Sequence, residues 1–271
     1  MYRSWDNGAL NIVVCIKRVP DTGEAQVTIA PDGKSIKGNG LVYDINEADN
    51  YALEEALLLK EKLGGTVTVL TVGNASSNEQ LRVCLAKGAD NAIRLDDERF
   101  AGSDGFAIAR ILVAAIKDLK PDLILSGCIA SDDASAQVGI MLGEMLMLPH
   151  ATVVAEAKVE GNKAMVKREL EGGLTEVLEI ELPALLAVQT GINEPRYASF
   201  RGIREAMKRE IKVLGLSDLG INPQDVGEAG SKTKIEKLFI PPIDKRAQFL
   251  EGSPDETASS LVTIFKEKGI V

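Results

Sequence analysis

The sequence predicts an α/β fold: a doubly wound sheet with a parallel core, extended by antiparallel strands and followed by an arm. Three observations predict it. In the first half, short runs rich in Val, Ile and Leu alternate with longer segments of helical period, the pattern of a parallel sheet covered on both faces. In the second half, strand-like runs follow one another with only turn residues between them, as in an antiparallel meander. Beyond Leu214 the periodicity fades into a Gly-, Ser- and Asp-rich stretch that closes on one amphipathic helix.

Taken in order, Met1–Leu10 reads as an N-terminal extension carrying the only Trp, Trp5. Asn11–Pro20 (NIVVCIKRVP) is a β-branched run and is expected as the first buried strand. The PDG turn flanked by QVTIA and KSIKG predicts a small hairpin. In Asp44–Gly65, Ala48, Tyr51, Ala52, Ala56, Leu59 and Leu63 recur at helical spacing. Asn46 stands at the N-cap position of that helix, with Glu47 and Asp49 in the first turn, and Gly64–Gly65 end it. Thr66–Gly73, Asn91–Asp97 and Pro121–Gly127 are further strands. Ser77–Gly88 and Gly102–Lys120 are helices, the second capped by Ser103 or Asp104. Four strands follow, starting at Ala151, Lys163, Leu174 and Ala184. The last, ALLAVQTG, is apolar enough to return to the main sheet.

The stretch Gly127–Gly139 (GCIASDDASAQVG) lies between the strand PDLILSG and a helix expected over Gln137–Leu148. A strand that ends in a small-residue turn opening onto a helix leaves backbone N–H groups at the strand's carboxyl end, where open α/β sheets bind anions and nucleotides. Ala130, Ser131, Ala134, Ser135 and Ala136 let a ligand approach the backbone. Asp132 and Asp133 are placed to cap the helix or to accept from a ribose. A well-capped turn without a ligand fits the same pattern.

Composition narrows the classes. The chain has 271 residues and a net charge of −9, which argues against nucleic acid and against anionic membrane surfaces. Its apolar runs fall short of a membrane span, and no signal-type start is evident. Cys15, Cys84 and Cys128 have neither disulfide nor metal spacing and read as buried thiols of a reducing cytoplasm. His150, the single histidine, excludes a His-rich metal site and reads as a loop residue. Within Ile192–Ile211, Arg196, Arg201, Arg204, Lys208 and Arg209 form the most basic region. It is either a solvated helix face or a docking surface with Tyr197 and Phe200 as apolar contacts.

IKRVPD, NEADNYALEEALLLKE, CLAKGAD, PDLILSG with its turn and AQVG, and NEPRYAS before a basic segment together resemble the beta subunits of electron transfer flavoproteins, from Asn11 to Val271. The resemblance implies an adenine nucleotide alpha hydrolase-like or flavodoxin-like core. It implies a heterodimer with an alpha subunit that carries the redox FAD, with AMP or a second FAD held in this chain. By position, the nucleotide pocket takes Cys15, Asn46, Glu47, Ala48, Asp49, Val72 and Gly127, Cys128, Ile129, Ala130, Ser131, Asp132, Asp133, Ala134, Ser135, Ala136, Gln137, Val138 and Gly139. The resemblance also implies that residues 11–214 form a nucleotide-binding domain in which residues 191–211 recognise acyl-CoA or other flavin dehydrogenases, with Phe200 where the family has an exposed leucine, and that residues 215–271 are an arm gripping the alpha subunit.

Members that bind a second FAD and bifurcate electrons from NADH carry D-G-D-T-A-Q-V-G at the turn. Here Asp133 replaces the glycine, as in AMP-binding members, and Ala134 replaces the second aspartate. VPDT, AQVG and the acidic tail lean the other way, so both nucleotides stay open, the turn favouring AMP. An ATP-dependent hydrolase or ligase on a related sheet needs a phosphate-cradling G-x-x-x-x-G-K loop, which the sequence lacks. A free nucleotide-sensing homodimer leaves the arm nothing to grip. No catalytic acid, base or nucleophile stands out, as suits an electron carrier subunit rather than a stand-alone enzyme.

Overall fold

The fold comes from a computed structural model that describes residues 9–23, 27–242, 247 and 249–271. Of the extension expected over Met1–Leu10, residues 1–8, Trp5 included, lie outside the described residues, as does Gln26 at the start of the expected hairpin, while Leu10 already belongs to the first strand. The chain divides into two compact units, Met1–Thr28 with Ile36–Ile235, and Ile29–Ser35 with Glu236–Val271.

The first unit is built on β1 (Leu10–Cys15), whose residues point alternately to the two faces of the sheet. Leu10, Ile12 and Val14 join the core on one side, Val13 and Cys15 the core on the other. The expected single strand to Pro20 divides. β2 (Arg18–Pro20) pairs antiparallel with β3 (Tyr43–Ile45) in a separate two-stranded sheet. The break falls at Lys17, whose amide donates to the Asp49 carboxylate (2.8 Å) and whose carbonyl accepts from the Asn46 amide (2.9 Å).

Next come α1 (Glu47–Leu63), β4 (Gly65–Val72), α2 (Asn78–Lys87), β5 (Asn91–Leu95), α3 (Gly105–Leu119) and β6 (Leu123–Gly127). The helix after β6, α4 (Val138–Met145), is shorter than its apolar pattern suggests and gives way at Met147, where φ is +54°. His150 is therefore not in a loop but begins β7 (His150–Glu160) opposite Leu185, its ring packed against Gly143. α1 and α2 cover one face of the sheet through residues such as Leu53, Leu57, Leu81 and Leu85. α3 and α4 cover the other through Ile111, Ile116 and Leu142. Trimming a fully buried Leu53 to alanine costs about 2–5 kcal/mol.

β7 continues into β8 (Lys163–Leu170) and β9 (Leu174–Glu181) as the expected antiparallel meander. β10 (Ala184–Val188), wholly buried, enters between β6 and β7 and runs parallel to both. Opposite β10, the register of β7 shifts by one residue. The extra residue is Val153, held at φ +56°, an outlying conformation for a β-branched side chain. α5 (Phe200–Ala206) and β11 (Lys212–Leu214), which adds beside β5, follow. The large sheet is thus β11-β5-β4-β1-β6-β10-β7-β8-β9, parallel from β11 to β7.

Two short helices, α6 (Leu216–Leu219) and α7 (Gly227–Gly230), keep the chain in the first unit. Of the two expected caps of α3, Asp104 serves: one oxygen accepts from the Ala107 amide (3.0 Å), the other from the amides of Lys232 and Thr233. Ser103 instead accepts from the Gly227 amide.

In the second unit, bonds from Ala30 to Ser35 and from Gly33 to Ala30 close the PDG turn, and Leu238 donates to the Gly33 carbonyl. α8 (Pro254–Glu267) starts with a capping box between Ser253 and Glu256, and its Leu261 and Val262 remain exposed.

Candidate functional site

The strand order β5-β4-β1-β6-β10 winds outward in both directions from the β1–β6 pair, so the crevice at the carboxyl ends of these two strands is the switch point at which open α/β sheets take ligands. Cys15 ends β1 there and Gly127 ends β6; on the neighbouring strand, Val72 ends β4. Burial, then the nearby Asp49 charge, pushes the Cys15 thiol up to about 12, so it is no nucleophile.

The first turn of α1 is bolted to this rim. Asp49 is buried and accepts from the amides of Lys17 (2.8 Å) and Gly127 (2.7 Å), joining the segments that leave β1 and β6. Burial pushes its carboxyl up to about 6 against these hydrogen bonds, which favour the ion. Ala48 lies so close beneath Gly127 that a Cβ there would meet Ala48 Cβ at 2.7 Å and Asp49 Oδ1 at 2.6 Å, which explains the glycine. Asn46 occupies the N-cap position without capping. Its amide instead donates to the Ile129 carbonyl (2.9 Å) and accepts from the Ser131 amide (3.1 Å).

The turn itself is open, with Ser131 to Gln137 exposed. Asp132 and Asp133 do not cap α4. Both bind the Lys17 ammonium, at 2.6 and 2.8 Å, and Asp133 also accepts from the Ser135 amide. Burial lowers the Lys17 pKa, but the two carboxylates outweigh it and hold the ammonium above its usual value. Ala134 and Ala136 sit at φ +51° and +50°, each about 1–2 kcal/mol above a relaxed alanine.

This geometry suits an anion. Among the described helices of eight residues or more, α3 and α8 carry side-chain caps, and α2 continues directly from a short turn capped by Asn74. α1 and α4 have none: the Asn46 side chain is engaged with the turn, and Gln137 makes no cap bond. The first amides of two helices are thereby left without a capping side chain at one crevice. The Ser126 hydroxyl, buried and without a partner among the described residues, lies beside Gly139, where an added Cβ would meet it at 2.9 Å.

A second set of expected residues gathers elsewhere, around α5. Tyr197 and Phe200 are 97% and 92% exposed. From Phe200 the exposed Ile203 and Met207 continue at i+3 and i+7 as one apolar stripe along α5, and Tyr197 stands exposed just before the helix. Ile203 and Met207 were missed, although their helical spacing from Phe200 was there to be read. Arg201 pairs with Glu205 on the surface, whereas Arg196 is held by Glu54 and Glu61 of α1. Lys17 was also missed; its signal was the first basic residue after the apolar run NIVVCI. Gln189, which accepts from the Cys128 thiol, left no local signal at all.

The electron transfer flavoprotein domain matches residues 36–219, two thirds of the chain. The chain belongs to the electron transfer flavoprotein beta-subunit family. It is 40% identical to the electron transfer flavoprotein subunit beta of Methylophilus methylotrophus, over 95% of this chain and 98% of that protein. It is 38% identical to the subunit beta of Thermoanaerobacterium thermosaccharolyticum, over 97% and 100%. It is 40% identical to the caffeyl-CoA reductase-Etf complex subunit CarD of Acetobacterium woodii, over 97% and 100%. Membership carries a role in electron transfer, an association with flavin and a partner subunit. The matched region holds Asn46–Asp49, Gly127–Gly139 and the α5 stripe, while Cys15 and Lys17 lie before it. Among the described residues no helix is long and apolar enough to cross a membrane.

Proposed function

We propose that this beta subunit pairs with an alpha subunit carrying the redox FAD, holds AMP at the β1–β6 crevice, and presents the α5 stripe to flavin dehydrogenases such as acyl-CoA dehydrogenases. The observation that carries the nucleotide reading is the pair of helix starts without side-chain caps at the switch point, beside the buried Ser126 hydroxyl that has no partner among the described residues. The backbone of Asn46–Asp49 and of Gly127–Gly139 is what would hold the nucleotide, the small side chains of Ala130, Ala134 and Ala136 leaving room for it. The redox chemistry is the flavin's, and this chain supplies binding, placement and electrostatics.

AMP is favoured over a second FAD by the lip of the crevice. Asp133, tied with Asp132 to Lys17, stands where members that hold a second FAD carry glycine, so its carboxylate crowds the longer diphosphate-linked ligand more than it crowds AMP. The competing reading, FAD here and electron bifurcation from NADH, draws on the VPDT and AQVG pieces of the sequence. Denaturing the purified heterodimer and chromatographing what it releases separates them. About one FAD and one AMP per heterodimer is expected, about two FAD indicates the second reading, and one FAD with no further adenine compound overturns both.

A further inference from the structure

Arg196 stands among the basic residues expected to dock a partner, yet its guanidinium faces inward. Nε and Nη2 donate to Glu54 at 2.8–3.0 Å, Nη1 and Nη2 donate to Glu61 at 2.5 and 3.2 Å, and its own backbone amide donates to Glu54 at 2.9 Å. Glu54 is 4% exposed, so these bonds are its compensation for burial. Three residues earlier, the Asn193 amide donates to the Tyr51 carbonyl (3.1 Å) and to Glu55 (3.0 Å), again on α1. The far side of the segment is fixed too. Ser199 caps α5, Gly202 lies against the Ala86 carbonyl so closely that a Cβ would meet it at 2.2 Å, and the Arg82 guanidinium donates to the carbonyls of Ala206 and Arg209. Tyr197 and Phe200 lie between these fastenings, almost wholly in solvent.

We propose that Arg196 is a positioning residue: it fastens the strand-to-helix segment to α1 so that Tyr197 and Phe200 are held outward, and it does not itself meet the partner. Large apolar side chains do not hold one outward pose unaided, because solvent offers them no contacts and rotamer entropy favours spread. Fixing the backbone before docking removes part of that ordering cost from the encounter. Arg suits the task better than Lys, since its planar fork reaches two carboxylates in one plane. This inference rests on the reading of the α5 stripe as a docking face.

The test is a double-mutant cycle in the intact heterodimer, with the acyl-CoA dehydrogenase of the same organism as electron donor. Apparent affinity is read from reduction rate against donor concentration, and amide exchange of Tyr197–Ile203 by mass spectrometry. Phe200→Ala is expected to weaken apparent affinity by about tenfold or more. Arg196→Gln is expected to weaken it by about tenfold and to speed amide exchange in the segment by about tenfold. In the Phe200→Ala background Arg196→Gln is expected to add less than about twofold, because it acts through the side chain already removed. Losses that multiply in full, or exchange that does not change, overturn the inference while leaving the docking face standing. No loss from Phe200→Ala overturns the docking face and the inference with it. Should Arg196→Gln not fold, Glu61→Gln breaks only the exposed half of the clamp and enters the same cycle, and Arg196→Lys must recover less than the wild-type affinity.

Discussion

Replacing Asp49 by asparagine separates two effects that the buried carboxylate combines. Its two oxygens accept from the amides of Lys17 and Gly127, while burial pushes its pKa from the usual 3.8 up to about 6. At 1.36 kcal/mol per unit, a rise of about two units disfavours the ion by roughly 3 kcal/mol at neutral pH. A folded pKa above the unfolded one means stability that is complete below pH 3.8 and lost as pH climbs through about 6. Asparagine does not titrate, so the variant lacks this slope. It also has one oxygen where the carboxylate has two; its NH2 opposes the second amide, leaving a buried donor unmet at about 1–3 kcal/mol. The unfolding free energy of wild type minus that of Asp49→Asn is therefore expected to fall by roughly 3 kcal/mol between about pH 4 and about pH 7, and to change little above that. Urea unfolding of the purified heterodimer across this range, followed by circular dichroism, measures it. A difference between the two proteins that stays constant with pH refutes the reasoning.

Two further perturbations address the crevice and the anchoring of the Lys232–Thr233 segment. Asn46→Ala removes both side-chain bonds to the Ile129–Ser131 backbone, at about 1–3 kcal/mol, and should lower the nucleotide retained after dialysis by about tenfold or more; retention equal to wild type counts against the crevice. Asp104→Ala removes the α3 cap and the acceptor for Lys232 and Thr233, and should cost about 1–3 kcal/mol and speed amide exchange at those two residues. Burial alone raises the Asp104 pKa, but the hydrogen bonds from Ala107, Thr233 and Lys232 hold it down at about 2. Its contribution should accordingly be present above pH 3.8 and fade as pH falls through about 2, which acid unfolding of wild type against variant will show.

The parallel core was legible because its strands are buried on both faces, so that β4, β6 and β10 stand out as apolar runs between glycines and prolines. What escaped reading depends on partners distant in sequence. β1 stops at Cys15 because a carboxylate 32 residues away takes the Lys17 amide, an event that leaves no mark on the apolar run NIVVCI. The bulge at Val153 answers to the placement of β10, and its φ of +56° contradicts the preference of valine itself. At the candidate site the small residues of the turn and the helix start could be read locally. The roles of individual side chains could not: Asn46 looks like a cap and serves as a strut, and Arg196 looks like a surface cation and serves as an anchor. In both cases the residue type was right for either task, and only the direction of the side chain decides between them.

α1 serves the crevice with Asn46 and Asp49 near its start, and the α5 segment with Tyr51, Glu54, Glu55 and Glu61 farther along. Both sets of bonds depend on a single angular phase. One residue inserted between Asp49 and Glu54 would swing everything beyond it by about 100° and advance it about 1.5 Å, so Glu54 could no longer face Arg196 while Asp49 still faced Gly127. The helix behaves as a camshaft: its lobes can be recut singly, but its length cannot change by one step without throwing one of its two followers out of time.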